Sequence, residues 1–144
     1  MNSSALIDFD AITALFQQAC SESRDFLYEY EVYALLAASG AETPPRAHLL
    51  ARGARVSDEE LTAIPGDKAV LKIVSPTIVH KTEVGGVRIV DKTPASVRSA
   101  QRRMLYEVPE NYALWIERNP EAAPPTYRGL AGQALVAAIS RDVK

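Results

Sequence analysis

The stretch AVLKIVSPTIVHKTEVGGVRIV, residues 69 to 90, constrains this chain more than any other. It opens on an apolar strand pattern, Ala69 to Val74, that holds a lysine, Lys72. It closes on a second strand pattern, Gly86 to Val90. Ser75-Pro76 ends the first strand, because proline removes a ladder donor and restricts the residue before it. The loop then presents His80 and Lys81 side by side, and the pair Gly85-Gly86 leads into the second strand. Two strands can be joined by a turn of about two to five residues. The longer, chemically loaded connection suits a loop that folds over an anion such as phosphate.

Each side chain has a plain reading beside the chemical one. In VLKIV the side chain of Lys72 lies on the face opposite Leu71 and Ile73. Its ammonium must reach either water, along the edge of the sheet, or a negative ligand. Neutral imidazole is nucleophilic near pH 7, so His80 could bind a phosphate, relay a proton or accept a phosphoryl group; otherwise it is a solvated loop histidine. Gly85 and Gly86 permit positive φ and close backbone approach, so that amide N–H groups could face an anion, and Lys81 adds a point charge. Glu83 could orient His80 or Lys81, or simply face water. The motif is not a Walker loop, since GxxxxGK[ST] is absent.

The remaining periodicity predicts helices on both sides of this motif. Phe9, Ile12, Leu15, Phe16 and Ala19 recur at helical spacing with Asp10 as cap, and SESRD breaks that helix. A second helix is predicted from about Leu27 to Ser39, burying Tyr28, Val32, Leu35 and Leu36, with Gly40 as its left-handed C-terminal cap. Thr43-Pro44-Pro45 forces an extended exit, and AHLLA is a strand candidate. Ser57 and Glu60 have capping-box spacing, which places a short helix or turn over 58 to 63. Thr93-Pro94 marks another helix start, with Val97, Ala100, Met104 and Val108 as its apolar stripe. The segment from Pro109 to Pro125 reads as irregular, with Tyr112 and Trp115 as anchors. GLAGQALVAAISRDVK reads as helical to about Ser140, and the tail shows no closing element. Strands alternating with helices give an α/β domain on a small sheet flanked by helices.

Bulk properties exclude several classes. The 144 residues carry a net charge of −2 at pH 7, so nothing draws the chain globally to nucleic acid or anionic lipid. Arg46, Arg52 and Arg55 are locally positive but have no interleaved aromatics, and Arg102-Arg103 reads as a solvated helix face. His48 reads as structural or surface. The single cysteine, Cys20, cannot form an internal disulfide; it reads as a small core residue, and a reducing, cytoplasmic compartment is expected. MNSSALIDFD lacks the basic and apolar regions of a secretory signal, no run is long enough to span a membrane, and no metal-ligand spacing occurs.

LKIVSPTIVHKTEVGGV resembles the signature of the ATP-grasp domain in NDP-forming acyl-CoA synthetases, the acetate–CoA ligase (ADP-forming) family related to succinyl-CoA synthetase. LYEYEVYALLAASGAETP resembles that family's preceding helix and its Thr-Pro strand entry, so the likeness covers about residues 25 to 108. The resemblance implies the first lobe of an ATP-grasp domain over 25–144, truncated before the second lobe, with residues 1–24 as a helical extension. It also implies phosphoryl transfer between His80 and ADP/ATP, with Lys72, Ser75, Lys81, Gly85 and Gly86 at the nucleotide phosphates. Mg²⁺ ligands, the second lobe and the CoA-binding and ligase domains are expected outside this chain, and the isolated chain is expected to be inactive. Thr82 and Glu83 stand where the family often has serine and aspartate. A related protein-acetylating family carries a similar segment. Two other functions fit the same loop: a non-catalytic module that binds an anion or a partner, and a phosphocarrier charged at His80 by an external kinase.

Overall fold

The computed structural model describes residues 6–144. Residues 1–5, part of the proposed 1–24 extension and of the stretch read for a secretory signal, lie outside the described residues. The chain divides into two compact units, one ending at Leu49 and the other spanning Leu50–Lys144.

The first unit is a pair of helices, α1 (Phe9–Ser21) and α2 (Glu29–Ala38). The cap of α1 is Asp8, whose carboxylate accepts from the amide of Ala11 at 3.0 Å, while Asp10 sits within the first turn. A carboxylate at either place suits the positive helix end, but only Asp8 has the non-helical backbone that lets it reach back. Helix α2 ends as expected: Gly40 takes φ 89°, its amide donates to Ala37 and that of Ala41 to Leu36. Of the face predicted buried around α2, Tyr28 is buried and the other three residues are not. Val32 and Leu36 are exposed and Leu35 is half-buried, whereas Tyr28 and Glu31 are buried. EYEVYALLAA is apolar almost all round, so spacing could not select a face. The ion pair of Glu31 with Arg24 selects it: Arg24 Nη1 and Nη2 donate to the two carboxylate oxygens at 2.8 and 3.1 Å. Cys20 is exposed rather than a core residue, one position beyond the buried Ala19.

AHLLA forms no strand. Among the described residues it has no paired neighbour, and the junction between the two units falls within it. At its end the Ala51 carbonyl accepts instead from the amide of Ala54 at 3.0 Å and from Gln101 Nε2 at 3.4 Å.

The second unit is built around α4 (Pro94–Arg118). Before it come α3 (Asp58–Thr62), β1 (Lys68–Lys72) and β2 (Val87–Asp91), and after it α5 (Gly132–Asp142). The capping box forms as read: Ser57 Oγ accepts from the amide of Glu60 at 3.2 Å, and the Glu60 carboxylate accepts from the amide of Ser57 at 2.8 Å. Strands β1 and β2 pair antiparallel with Lys72 opposite Val87 and Lys68 opposite Asp91. Helices with this small sheet meet the α/β expectation.

Helix α4 overturns the irregular segment expected after Pro109. Thr93 caps it and Pro94 opens it, and the helix then runs straight through Pro109 to Arg118. The buried stripe continues through Val108, Tyr112, Ala113 and Ile116, and that burial outweighs one lost i→i−4 hydrogen bond. Tyr112 stacks on Trp115 with centroids 5.7 Å apart. Helix α5 reaches Asp142, two residues past the predicted end. Arg52 donates to the carbonyls of Ser140 and Val143 at 2.5 and 2.9 Å, which satisfies groups at the negative end of that helix. The tail is anchored too: Val143 is buried, and Lys144 exchanges backbone hydrogen bonds of 2.7 and 2.8 Å with Val74.

Candidate functional site

The hairpin has two unlike faces. Ala69 and Leu71 turn toward the core, while Lys68, Val70 and Lys72 are exposed. Register puts Val70 directly opposite Ile89, and these two apolar side chains are 56% and 70% exposed. Lys72 therefore stands at the loop end of a solvent-facing sheet surface whose middle is apolar. The face assigned to it by strand alternation is the one it occupies.

Apolar pegs hold the loop that follows. Ile73, Ile78 and Val84 are nearly fully buried in the main core cluster, while Val79 and His80 are exposed between them. The ladder extends one bond past β1, from the amide of Ile73 to the carbonyl of Gly86 at 2.9 Å. A 3₁₀ turn over Lys81–Val84 then closes on Gly85, which takes φ 76°, and the amide of Gly86 donates to Lys81 at 2.7 Å. Asn111 of α4 steadies this turn by donating from Nδ2 to the carbonyl of Val84 at 3.1 Å.

Gly86 has a second reason to be glycine. A Cβ there would lie 2.7 Å from Cγ1 of Ile73 and 3.0 Å from the carbonyl oxygen of Lys81, closer than side chains tolerate. Lys81 is half-buried and His80 exposed; among the described residues neither side chain makes a hydrogen bond or ion pair. Glu83 is exposed, and its carboxylate orients neither of them.

Ser75 is placed differently from the rest. It is buried, and its Oγ accepts from the amides of Thr77 and Ile78, both at 3.2 Å, which bends the chain immediately after Pro76. Its oxygen is thus engaged inside the loop. The structure brings the backbones of Ile73, Lys81 and Gly86 together, with Lys72 next to them in the ladder, and holds His80 on the outer part of the loop.

Sequence reasoning missed the side chains that grip the loop from behind. Tyr127 is buried and donates to Asp142 Oδ2 at 2.6 Å, and its oxygen lies 3.3 Å from Thr77 Oγ1. Tyr112 donates to the carbonyl of Thr77 at 3.3 Å. Burial raises both phenols above the ordinary tyrosine range, and for Tyr127 the neighbouring Asp142 carboxylate adds to the effect. No local pattern in the sequence marks these partners, which lie 35 to 65 residues from the loop. Arg88 of β2 is ion-paired with Glu107 of α4, and this guanidinium holds the Glu107 carboxyl below the usual carboxylate range.

Among the described residues no group of three or more His, Cys, Asp or Glu is placed to hold a metal ion. No described helix is long and apolar enough to cross a membrane. No cluster that could by itself hold Mg²⁺ is thus formed among the described residues. The side chains of Lys72, Lys81 and His80 are of a kind that suits phosphate oxygens, whereas the amides of Gly85 and Gly86 already donate to the carbonyls of Thr82 and Lys81.

No curated protein and no solved structure matches the chain. A family model described as ATP-grasp domain matches residues 18–117, well over half of the length. That span takes in both strands, the whole His80 loop and nearly all of α4, and the chain belongs to the ATP-grasp domain family.

Proposed function

We propose that this chain is the nucleotide-phosphate-handling lobe of an acid–CoA ligase (ADP-forming) of the acetate–CoA ligase type, in which His80 exchanges a phosphoryl group with ADP/ATP. ATP-grasp domains bind nucleotide and serve ATP-using, ligase-type enzymes, which gives the coarse activity. One observation carries the finer reading: the His80 side chain stands exposed and unengaged on a loop that Ile73, Ile78 and Val84 pin to the core. A solvated histidine of no consequence would not need such a frame. The outer hairpin face takes the nucleotide, its phosphates toward Lys72 and its base over Val70 and Ile89.

In this reading Lys72 and Lys81 supply positive charge to phosphate oxygens, and Gly85 and Gly86 let the backbone come close. Ser75 shapes the loop from within. A neutral imidazole nitrogen of His80 forms a bond to the γ-phosphorus as the bond to the bridging oxygen breaks, and ADP leaves. Positioned cations matter most in this chemistry, because the transferred group spreads its charge over its oxygens. Mg²⁺ ligands, the second lobe and the CoA-binding and ligase domains or subunit come from outside the described residues.

The test is labelling of the native enzyme with γ-labelled ATP. An acid-labile phosphate on His80, lost together with nucleotide-dependent acyl-CoA formation in His80→Ala, is the expected result. Full activity in that variant overturns the assignment.

A further inference from the structure

Four oxygens lie in a row behind the loop: Ser75 Oγ, Thr77 Oγ1, Tyr127 Oη and Asp142 Oδ2, with successive separations of 3.2, 3.3 and 2.6 Å. Hydrogen-bond inventory orients this row. Ser75 Oγ already accepts two amide hydrogens, from Thr77 and Ile78, so its own hydrogen is the one left to give. A carboxylate only accepts, so the Tyr127 hydroxyl must donate to Asp142. Thr77 then receives from Ser75 and donates to Tyr127. The four groups form one directed chain ending on an anion, the arrangement in which each bond polarises the next.

Thr77 is the point where this chain meets the loop, and it is held at every polar atom. Its amide goes to Ser75, its hydroxyl to Tyr127, and its carbonyl accepts from Tyr112. Thr77 precedes the buried peg Ile78 and stands three residues before His80. Tyr127 is 2% exposed and lies against Tyr112 edge-on, so its hydroxyl has little freedom to move.

We propose that Tyr127, backed by Asp142, is a positioning residue that sets how the loop presents His80 and Lys81, acting through Thr77, given the phosphate-handling role of that loop. Its hydroxyl touches no reacting atom; it fixes the base from which the exposed tip projects.

The test is amide hydrogen exchange on the full chain without nucleotide, comparing Tyr127→Phe, Thr77→Val, Thr77→Ser and a core variant on α5, Leu135→Ala. In Tyr127→Phe and Thr77→Val, amides of the 75–81 segment should exchange about tenfold faster, beyond any change in α4 and α5. Thr77→Ser keeps the hydroxyl and should restore slow exchange. Leu135→Ala should accelerate α4 and α5 at least as much as the loop. The double variant Tyr127→Phe/Thr77→Val should be no faster in the loop than either single change. Loop exchange that merely follows the helices in Tyr127→Phe and Thr77→Val overturns the proposal and leaves Tyr127 an ordinary core residue. Because exchange is read without nucleotide, a failure to bind ATP would count against the functional reading and not against this one.

Discussion

Gly86 and Ile73 are so close across the mouth of the loop that a Cβ on the glycine would stand 2.7 Å from Cγ1 of the isoleucine. The same two residues share the last ladder hydrogen bond, from the amide of Ile73 to the carbonyl of Gly86 at 2.9 Å. Core packing and loop closure therefore meet at one point. The second glycine of the pair owes its place to contact with a buried side chain, and the first to its φ of 76°.

Gly86→Ala should destabilise the second unit by about 1–3 kcal/mol, the usual cost of overpacking. The Lys81 carbonyl on the other side, 3.0 Å from the new Cβ, blocks an easy retreat. Urea denaturation checks this, and an unchanged midpoint would contradict the close approach.

In the first unit, Arg24→Met should cost about 3–5 kcal/mol, because it leaves the buried Glu31 carboxylate without its cation, whereas Glu31→Gln should cost less, since Glu22 still pairs with Arg24 Nε at 2.8 Å. Arg24 is 8% exposed and Glu31 2%, and the guanidinium also lies 3.9 Å over the Tyr28 ring. Helix content followed through denaturation would reveal the loss. A loss below about 1 kcal/mol would mean that the pair is solvated.

Acid should loosen the contact between β2 and α4. Arg88 holds the Glu107 carboxyl below its ordinary value, so the pair contributes fully above the unfolded carboxylate value of about 4.3. That contribution fades as pH falls through the lower folded value. Glu107→Gln should flatten the acid limb of the stability profile. An identical limb in the variant would contradict the linkage.

Much of this architecture was legible locally. Capping chemistry placed the starts of α3 and α4, strand alternation put Lys72 on the outer face, and Gly40 and Gly85 turned where left-handed backbone was needed. The misreadings share one cause, which is tertiary burial outweighing a local signal. Pro109 would stop an isolated helix, yet α4 passes through it because Val108, Tyr112 and Ile116 have a core to fill. Helix α2 takes its face from a buried ion pair seven residues apart, which apolar periodicity does not register. Arg52 read as loose positive charge and instead caps α5, 88 residues away. The motif was visible at the candidate site, but its frame was not, since Tyr127 and Asp142 reach Thr77 only in three dimensions.

Lys72→Ala should weaken ATP binding by about tenfold or more, in line with loss of a charge-assisted contact worth about 1.5–3 kcal/mol. The side chain is exposed, so the substitution opens no cavity in the core. Equal ATP affinity in both proteins would remove Lys72 from the site.

The most direct test of the account is an NMR titration of ATP into the isotopically labelled chain. Within the second unit, shifts should concentrate on Lys72, the loop from Ile73 to Gly86, and the outer-face positions Val70 and Ile89, with α5 silent. Shifts confined to other surfaces, or none at millimolar ATP, would contradict the assignment of this hairpin as the nucleotide-phosphate site.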